Sequence, residues 1–386
     1  MSGPAAGAPR GSVLLSRAAV IATAAVFGLT YSLTAPLIAL DLAERDFGET
    51  LIGANAAMHA IGVLATAPLL PWLVARLGAR TTVLGALLLA SASLASFPAV
   101  PSVWLWFPLR FAVGCASEAL FVVSETWTNH LTDDSGRARA MATYTAALSL
   151  GFAAGPLILS AVGAAGSAPY LIGAALALGA TALLASPRVV APHFEEPRLG
   201  DLGRVLRLAP VAMATTMLNA SVEAAGLSFL ALYAMGAGWE EGAATRLIAA
   251  MMVGAIVLQL PVGWLGDRVD RRKLVVWLGS IAAAGALLWP SALHDPWLAY
   301  PVVFVWGGVF VGAYTIMLAV VGSRFRGTEL VAVYAAMGLV WGAGALLGPT
   351  LAGLAMDLVP HGLPLFAAFA CAVFTAFALW ARRRAW

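Results

Sequence analysis

Charge is scarce in this sequence. Asp, Glu, Lys and Arg make up 11% of 386 residues, while 61% are hydrophobic and the mean hydropathy is +0.89. So few charges cannot solvate the surface of a water-soluble fold, and so much apolar surface cannot be hidden inside one, which leaves lipid as the solvent. Cysteine is nearly absent as well: Cys115 and Cys371 both lie inside apolar runs, where a small packing residue is expected rather than a disulfide or a metal ligand. Signatures of catalysis are missing too. There is no His-Glu-x-x-His, no Gly-x-Ser-x-Gly, no Gly-x-Gly-Asp in an apolar run and no phosphate loop ending in Gly-Lys-Ser/Thr, so neither an enzyme nor a cofactor is expected. The formal charge of +3 makes no case for a nucleic-acid partner.

What the chain does have is long apolar runs at regular intervals. They predict an all-α membrane protein with twelve transmembrane helices near 18–42, 50–75, 81–98, 102–125, 139–163, 168–186, 207–235, 244–265, 274–291, 297–321, 329–356 and 363–381. At about 20 residues per crossing these spans take roughly 240 residues, leaving only short loops. The run Ala18 to Leu40 is too long for a signal-peptide core and reads as a retained first span. With the N-terminus in the cytoplasm, 19 of the 22 Lys and Arg residues fall on the cytoplasmic side. Arg45 and Arg246 fall opposite, and Arg110 lies within a span. The positive-inside rule therefore places both termini in the cytoplasm, as expected of a multi-pass protein of a bacterial inner membrane.

The longest polar stretch, Pro187 to Leu206, divides the chain into an N-terminal bundle (1–186), a linker (187–206) and a C-terminal bundle (207–386). An internal repeat supports that division. The segment Pro71-Trp-Leu-Val-Ala-Arg-Leu-Gly-Ala-Arg80 returns as Gly263-Trp-Leu-Gly-Asp-Arg-Val-Asp-Arg-Arg272, and Gly155-Pro156 returns as Gly348-Pro349. Two six-helix pseudo-repeats follow, the parallel duplication of many transporters.

The segment Gly263-Trp-Leu-Gly-Asp-Arg-Val-Asp-Arg-Arg-Lys273 resembles the signature loop of the major facilitator superfamily, G-x-x-x-D-R-x-G-R-R. With the twelve spans and the central linker, the resemblance covers essentially the whole chain and implies a transporter. It assigns a gating role to Gly263, Asp267, Arg268, Arg271 and Arg272, whose charges can hold or release helix ends as the halves rock. The first copy departs from the pattern at Pro71 and Ala75, and Asp270 stands where the family has its second Gly. Arg110 and Gly114 resemble the R-x-x-x-G element of proton-coupled antiporters. Gly151-x-x-x-Gly155-Pro156 and Gly344-x-x-x-Gly348-Pro349 resemble the Gly-Pro element of exporters, in which small residues allow close helix contact and proline a bend.

Ionisable residues inside spans are costly and mark candidate function. Glu118 and Glu125 lie 8 and 15 residues after Arg110, near two and four helical turns, so all three can share one stripe and form a proton-coupling unit. A fixed structural pair is the plainer alternative. Glu223, near Asn219, is a second protonatable candidate, and His59 with Asn55 one turn earlier a further polar one. Asp41 and Asp357, near the outer ends of their spans, read as solvated or capping residues. Tyr31, Trp306, Tyr314 and Trp341 lie near span centres and are candidates, with Asn55, His59 and Asn219, to line a site for an amphipathic or planar organic solute. The expectation is alternating-access transport of a small organic solute, proton-coupled and in the direction of efflux, by a monomer. The alternatives are a proton-coupled importer of a nutrient or organic anion, with Arg110 binding the anion, and a receptor that does not transport.

Overall fold

The computed structural model describes residues 10–131, 137–191, 207–325 and 327–382. Most of the expected linker, residues 192–206, lies outside the described residues, as do Asp133 and Asp134. The described residues are helical, with no strand among them. In hydrocarbon a helix satisfies its own backbone hydrogen bonds within one segment, which is why sequences this apolar fold this way.

The helices are α1 (Arg10–Glu44), α2 (Glu49–Thr66), α3 (Leu70–Leu77), α4 (Ala79–Ser96), α5 (Trp106–His130), α6 (Arg137–Val162) and α7 (Ala168–Leu184). After the linker come α8 (Pro210–Gly236), α9 (Glu241–Val257), α10 (Gln259–Gly266), α11 (Arg271–Ala286), α12 (Trp289–Ala292), α13 (Pro296–Arg324), α14 (Gly327–Leu358) and α15 (Gly362–Arg382). A helix lies on each of the twelve expected spans. Among the described residues nine stretches are long and apolar enough to cross a membrane, and a bent pair makes a tenth. That pair, α2 and α3, was expected as one span, 50–75. It bends by 59°, where Pro68 and Pro71 remove backbone donors and interrupt the helix. The expected span 274–291 is likewise divided between α11 and α12, with Pro290 at the start of the second piece.

Two compact units emerge. One comprises residues 1–37 and 58–197, the other 38–57 and 198–386, so the end of α1 and the start of α2 pack with C-terminal helices. The first unit has an apolar core that includes Phe27, Leu87, Leu120, Trp127 and Leu184. Within it α4 packs on α5 and α7; in the second, α11 packs on α13 and α15, the same arrangement one repeat later. Leu150, Leu178, Leu260, Trp297 and Phe369 stand exposed on helices that are apolar on all sides, as residues facing lipid do.

Candidate functional site

The polar residues of the first unit gather where α2 crosses α5. Gly114, four residues after Arg110 and so about one turn on, lies so close to α2 that a methyl group there would collide with the carbonyl oxygen of His59. Gly62 meets the Phe111 carbonyl in the same way. Two glycines thus bring the backbones into contact and seat His59 beside the helix that carries Arg110. The R-x-x-x-G spacing has a physical reason here: the glycine admits the neighbouring helix and the arginine one turn away faces the seam.

Arg110 is 2% exposed, and it is the only Lys or Arg buried among the described residues. Among the described residues its Nε and Nη1 have no hydrogen-bond partner, nor does Nδ1 of His59, which is 3% exposed. The phenols of Tyr31 and Tyr170 lie within electrostatic reach of Arg110, as does the His59 ring. Tyr31 stacks obliquely on His59, with 4.9 Å between ring centroids, and edge-on to Phe152 at 5.7 Å. Asn55, one turn before His59 on α2, is buried, and neither of its side-chain polar atoms has a partner among the described residues.

The expected pairing of Arg110 with the acids of its own helix is not made. No ion pair joins Arg110 to Glu118 or Glu125 among the described residues. Two helical turns rise about 11 Å, beyond the reach of a direct bond at that spacing. Glu118 is half-buried, and Glu125 lies instead near Tyr144, whose hydroxyl is 3.1 Å from Ser124 Oγ and donates to the Phe121 carbonyl at 3.3 Å.

In the second unit Glu223 sits in α8, the most thoroughly enclosed of the apolar helices. Asn219 Nδ2 donates to Glu223 Oε2 at 2.9 Å, one turn away along the same helix, while Asn219 Oδ1 is buried without a partner among the described residues. The two predicted members of this cluster therefore come together, and the helix itself sets their geometry.

The Gly-Pro elements pack alike in both repeats. Gly151 and Gly155 of α6 press on the α1 backbone at Ala25, Leu29, Ser32 and Leu33. Gly344 and Gly348 of α14 press on the α8 backbone at Met217 and Ser221. Pro156 and Pro349 each follow inside their helix.

The signature loop lies between α10 and α11. Arg271 Nη2 is 3.1 Å from Asp267 Oδ1, and Arg271 Nε donates to the Gly266 carbonyl at 3.1 Å. Arg268 lies over the Trp264 ring at 3.7 Å. Asp270 caps α11, accepting from the backbone N–H groups of Arg272 at 2.8 Å and Lys273 at 3.3 Å. Its replacement of the family glycine thus gives the helix a good N-cap. Slight burial works to raise the Asp270 pKa, but it is outweighed by the Lys273 and Arg272 amides and the charges of Lys273 and Arg382, which hold it below the ordinary value. The first copy keeps the stacked pair, Arg76 over Trp72 at 5.5 Å, while Arg80 donates to the Ala185 and Ser186 carbonyls at the end of α7. There an arginine complements the C-terminal end of a helix dipole.

The aromatic candidates are dispersed. Trp306 is built into packing: its indole N–H donates to the Ala282 carbonyl at 2.9 Å, and its ring stacks on Phe310 at 4.9 Å and meets Trp289 edge-on at 4.7 Å. Tyr314 and Trp341 are half-buried on α13 and α14. Asp41 holds Arg45 at 2.9 Å across one turn.

Sequence reasoning missed the partner of Asp357. Its Oδ1 accepts from the Glu49 backbone N–H at 3.1 Å, its Oδ2 accepts from the Thr50 N–H at 3.0 Å, and Thr50 Oγ1 donates to Oδ2 as well. The last helical turn of α14 thereby caps the start of α2, a helix that begins after Gly48 and has no capping side chain of its own there. The contact is reinforced where Gly53 meets the Pro349 carbonyl and Gly353 the Glu49 carbonyl. That missing N-cap was the one available signal.

Comparison with known proteins points in one direction. A family model described as Major Facilitator Superfamily matches residues 20–349 and 213–385. The chain is 24% identical over 341 residues to an uncharacterized MFS-type transporter, YfkF, of Bacillus subtilis, covering 86% of each. It is also 24% identical to the uncharacterized MFS-type transporter YcaD of Salmonella dublin, over 83% of this chain and 84% of that one. In fold it is similar to a mutant of the nucleoside transporter NupG (TM-score 0.79, 14% identity, 95% of this chain and 99% of that one) and to a D-xylose-proton symporter (TM-score 0.73, 14% identity, 95% and 97%).

Proposed function

The chain belongs to the Major Facilitator Superfamily and is a multi-pass membrane transporter, not an enzyme, and from that premise we propose that it is a proton-coupled secondary transporter of a small organic solute. The carrying observation is Glu223, an acid in the most enclosed apolar helix that accepts a hydrogen bond from a neutral amide, Asn219. Among the described residues no cation is paired with this carboxylate to hold it ionised, so protonation and release can track the conformational cycle. Glu118, half-buried and without an arginine partner among the described residues, is the matching group in the first unit.

The cycle is alternating access. The two six-helix halves, 18–186 and 207–381, rock so that the solute meets one side of the membrane at a time, with the Asp267–Arg271 loop and the Gly-Pro elements as gating parts. Efflux by antiport is favoured by the resemblance of Arg110-x-x-x-Gly114 and of the Gly-Pro element of span 5 to elements of antiporters and exporters. Import by symport is the second reading, suggested by the fold shared with a D-xylose-proton symporter. The protein acts as a monomer in the inner membrane, with both termini in the cytoplasm.

The test is purified protein in liposomes carrying an internal pH dye, given pooled organic solutes under an imposed proton gradient. Proton movement that starts only when solute is added is expected, and its sense separates antiport from symport. Glu223→Gln is expected to reduce that movement by at least roughly tenfold, the size of a lost acid–base group. Solute flux without proton movement would remove the coupling, and binding without flux would make the protein a receptor.

A further inference from the structure

Burying a guanidinium inside an apolar bundle costs several kcal/mol unless something offsets the charge. Arg110 is enclosed by its own fold, yet two of its three nitrogens have no partner and no carboxylate is paired with it among the described residues. Tyr31, Tyr170 and His59 interact with it electrostatically, and the buried Nδ1 of His59, on α2 beside Gly114, has no hydrogen-bond partner among the described residues. A purely structural arginine of this depth is normally tied by several hydrogen bonds. We infer that the α2–α5 seam is the recognition site for a carboxylate on the transported solute, with the Arg110 guanidinium as the principal donor and His59 as the second.

The assignment rests on the transport reading above and narrows its substrate class. The seam offers one permanent positive charge. A monoanion cancels it, whereas a phosphate dianion would leave a net negative charge in the hydrocarbon core. A guanidinium also suits a carboxylate geometrically, since its planar array of N–H donors matches two oxygens. Tyr31, stacked on His59, and Phe152 edge-on to Tyr31 form an aromatic wall beside the charge, so the solute carries an apolar or planar body as well as its carboxylate. The architecture explains why the arginine lies one turn from Gly114: any larger residue at 114 would push α2 away and separate His59 from it.

The experiment is equilibrium binding by the full-length protein in lipid nanodiscs, read as melting temperature with no proton gradient. The probes are a pool of benzoate, phenylacetate and hexanoate, a pool of their neutral amides, and phenylphosphonate at a pH where it is a dianion. The carboxylates are expected to raise the melting temperature by a few degrees, while amides and phosphonate do not. Arg110→Gln and Arg110→Lys are expected to weaken the half-saturating concentration roughly tenfold or more, because lysine keeps the charge but not the fork. Protection by the amides, equal protection by phosphonate, no protection by any pool, or undiminished protection in Arg110→Gln would each overturn the assignment. A second readout needs no ligand: Arg110→Met in the empty protein is expected to leave the melting temperature unchanged or raise it, since an unpaired charge leaves the core, and a fall of several degrees would mark Arg110 as structural. Because no gradient is used, carboxylate binding without proton movement would defeat the coupling proposal and leave this one standing.

Discussion

The α2–α5 seam of the first repeat and the α9–α13 seam of the second share one skeleton and differ in chemistry. Gly62 and Gly254 stand 192 residues apart, Gly114 and Gly307 193, and all four admit a neighbouring backbone: Phe111 and His59 in the first seam, Phe304 and Met251 in the second. At the positions of His59 and Arg110, the second repeat has Met251 and Val303, both buried and apolar. The first helices of the repeats show the reverse. Tyr31 of α1 corresponds to Glu223 of α8, 192 residues on. Duplication kept the glycines, because the close crossing depends on them, and left one repeat with the guanidinium and the other with the half-buried Glu223. On the proposals above, the guanidinium of the first half recognises the anion, while Glu223 of the second half handles protons together with Glu118 of the first.

Breaking the skeleton carries the largest expected effect. Gly114→Ala and Gly307→Ala each drive a methyl group into a backbone carbonyl, and each is expected to cost about 3 kcal/mol or to abolish folded protein, read as the yield of monodisperse protein on gel filtration. If only one of the two is damaging, the seams are not equivalent. Exchanging chemistry between seams should be gentler on the fold and severe on function. His59→Met with Arg110→Val makes the first seam resemble the second, and is expected to keep the melting temperature within a few degrees of the wild type while solute-driven flux falls by roughly a hundredfold, the scale of a lost charge-assisted contact. Retained flux would show that the charge is dispensable.

The caps give smaller effects. Asp357→Ala removes three hydrogen bonds to the start of α2. It is expected to lower stability by about 1 kcal/mol and to speed thiol labelling of a cysteine placed at Glu49, because the helix start is released. Unchanged labelling would mean that the glycine contacts alone hold this end. Asp270→Ala is the mildest, about 1 kcal/mol or less. The Asp270 pKa is lowered in the folded protein, so its contribution is full above the ordinary carboxyl pKa and fades as pH falls through the lowered value. The stability difference between wild type and Asp270→Ala should therefore close in acid, a comparison that melting curves across pH can make.

Much of this is legible in the sequence. The Trp72–Arg76 and Trp264–Arg268 stacks reproduce a repeat visible in the letters, and Glu223 with Asn219 could be paired by helical spacing alone. The α2–α3 bend was missed although Pro68 and Pro71 announce it, because the apolar run continues through both. The stripe joining Arg110 to Glu118 was legible and misled: a shared helix face brings residues into line, but two turns of rise keep their charges apart.

The amino-acid order by itself determined the apolar helices, the duplication and the positions of the charges, since hydropathy and loop composition act locally and lipid leaves a helix few alternatives. Only the tertiary structure decided which groups meet. That Asp357 caps a helix starting more than 300 residues earlier, that Arg110 lies beside His59 and has no carboxylate paired with it among the described residues, and that Trp306 is taken up by packing all depend on how each helix is rotated against its neighbours. Rotation is set by the close fit of small residues at the crossings, a property of two surfaces together that neither segment carries alone.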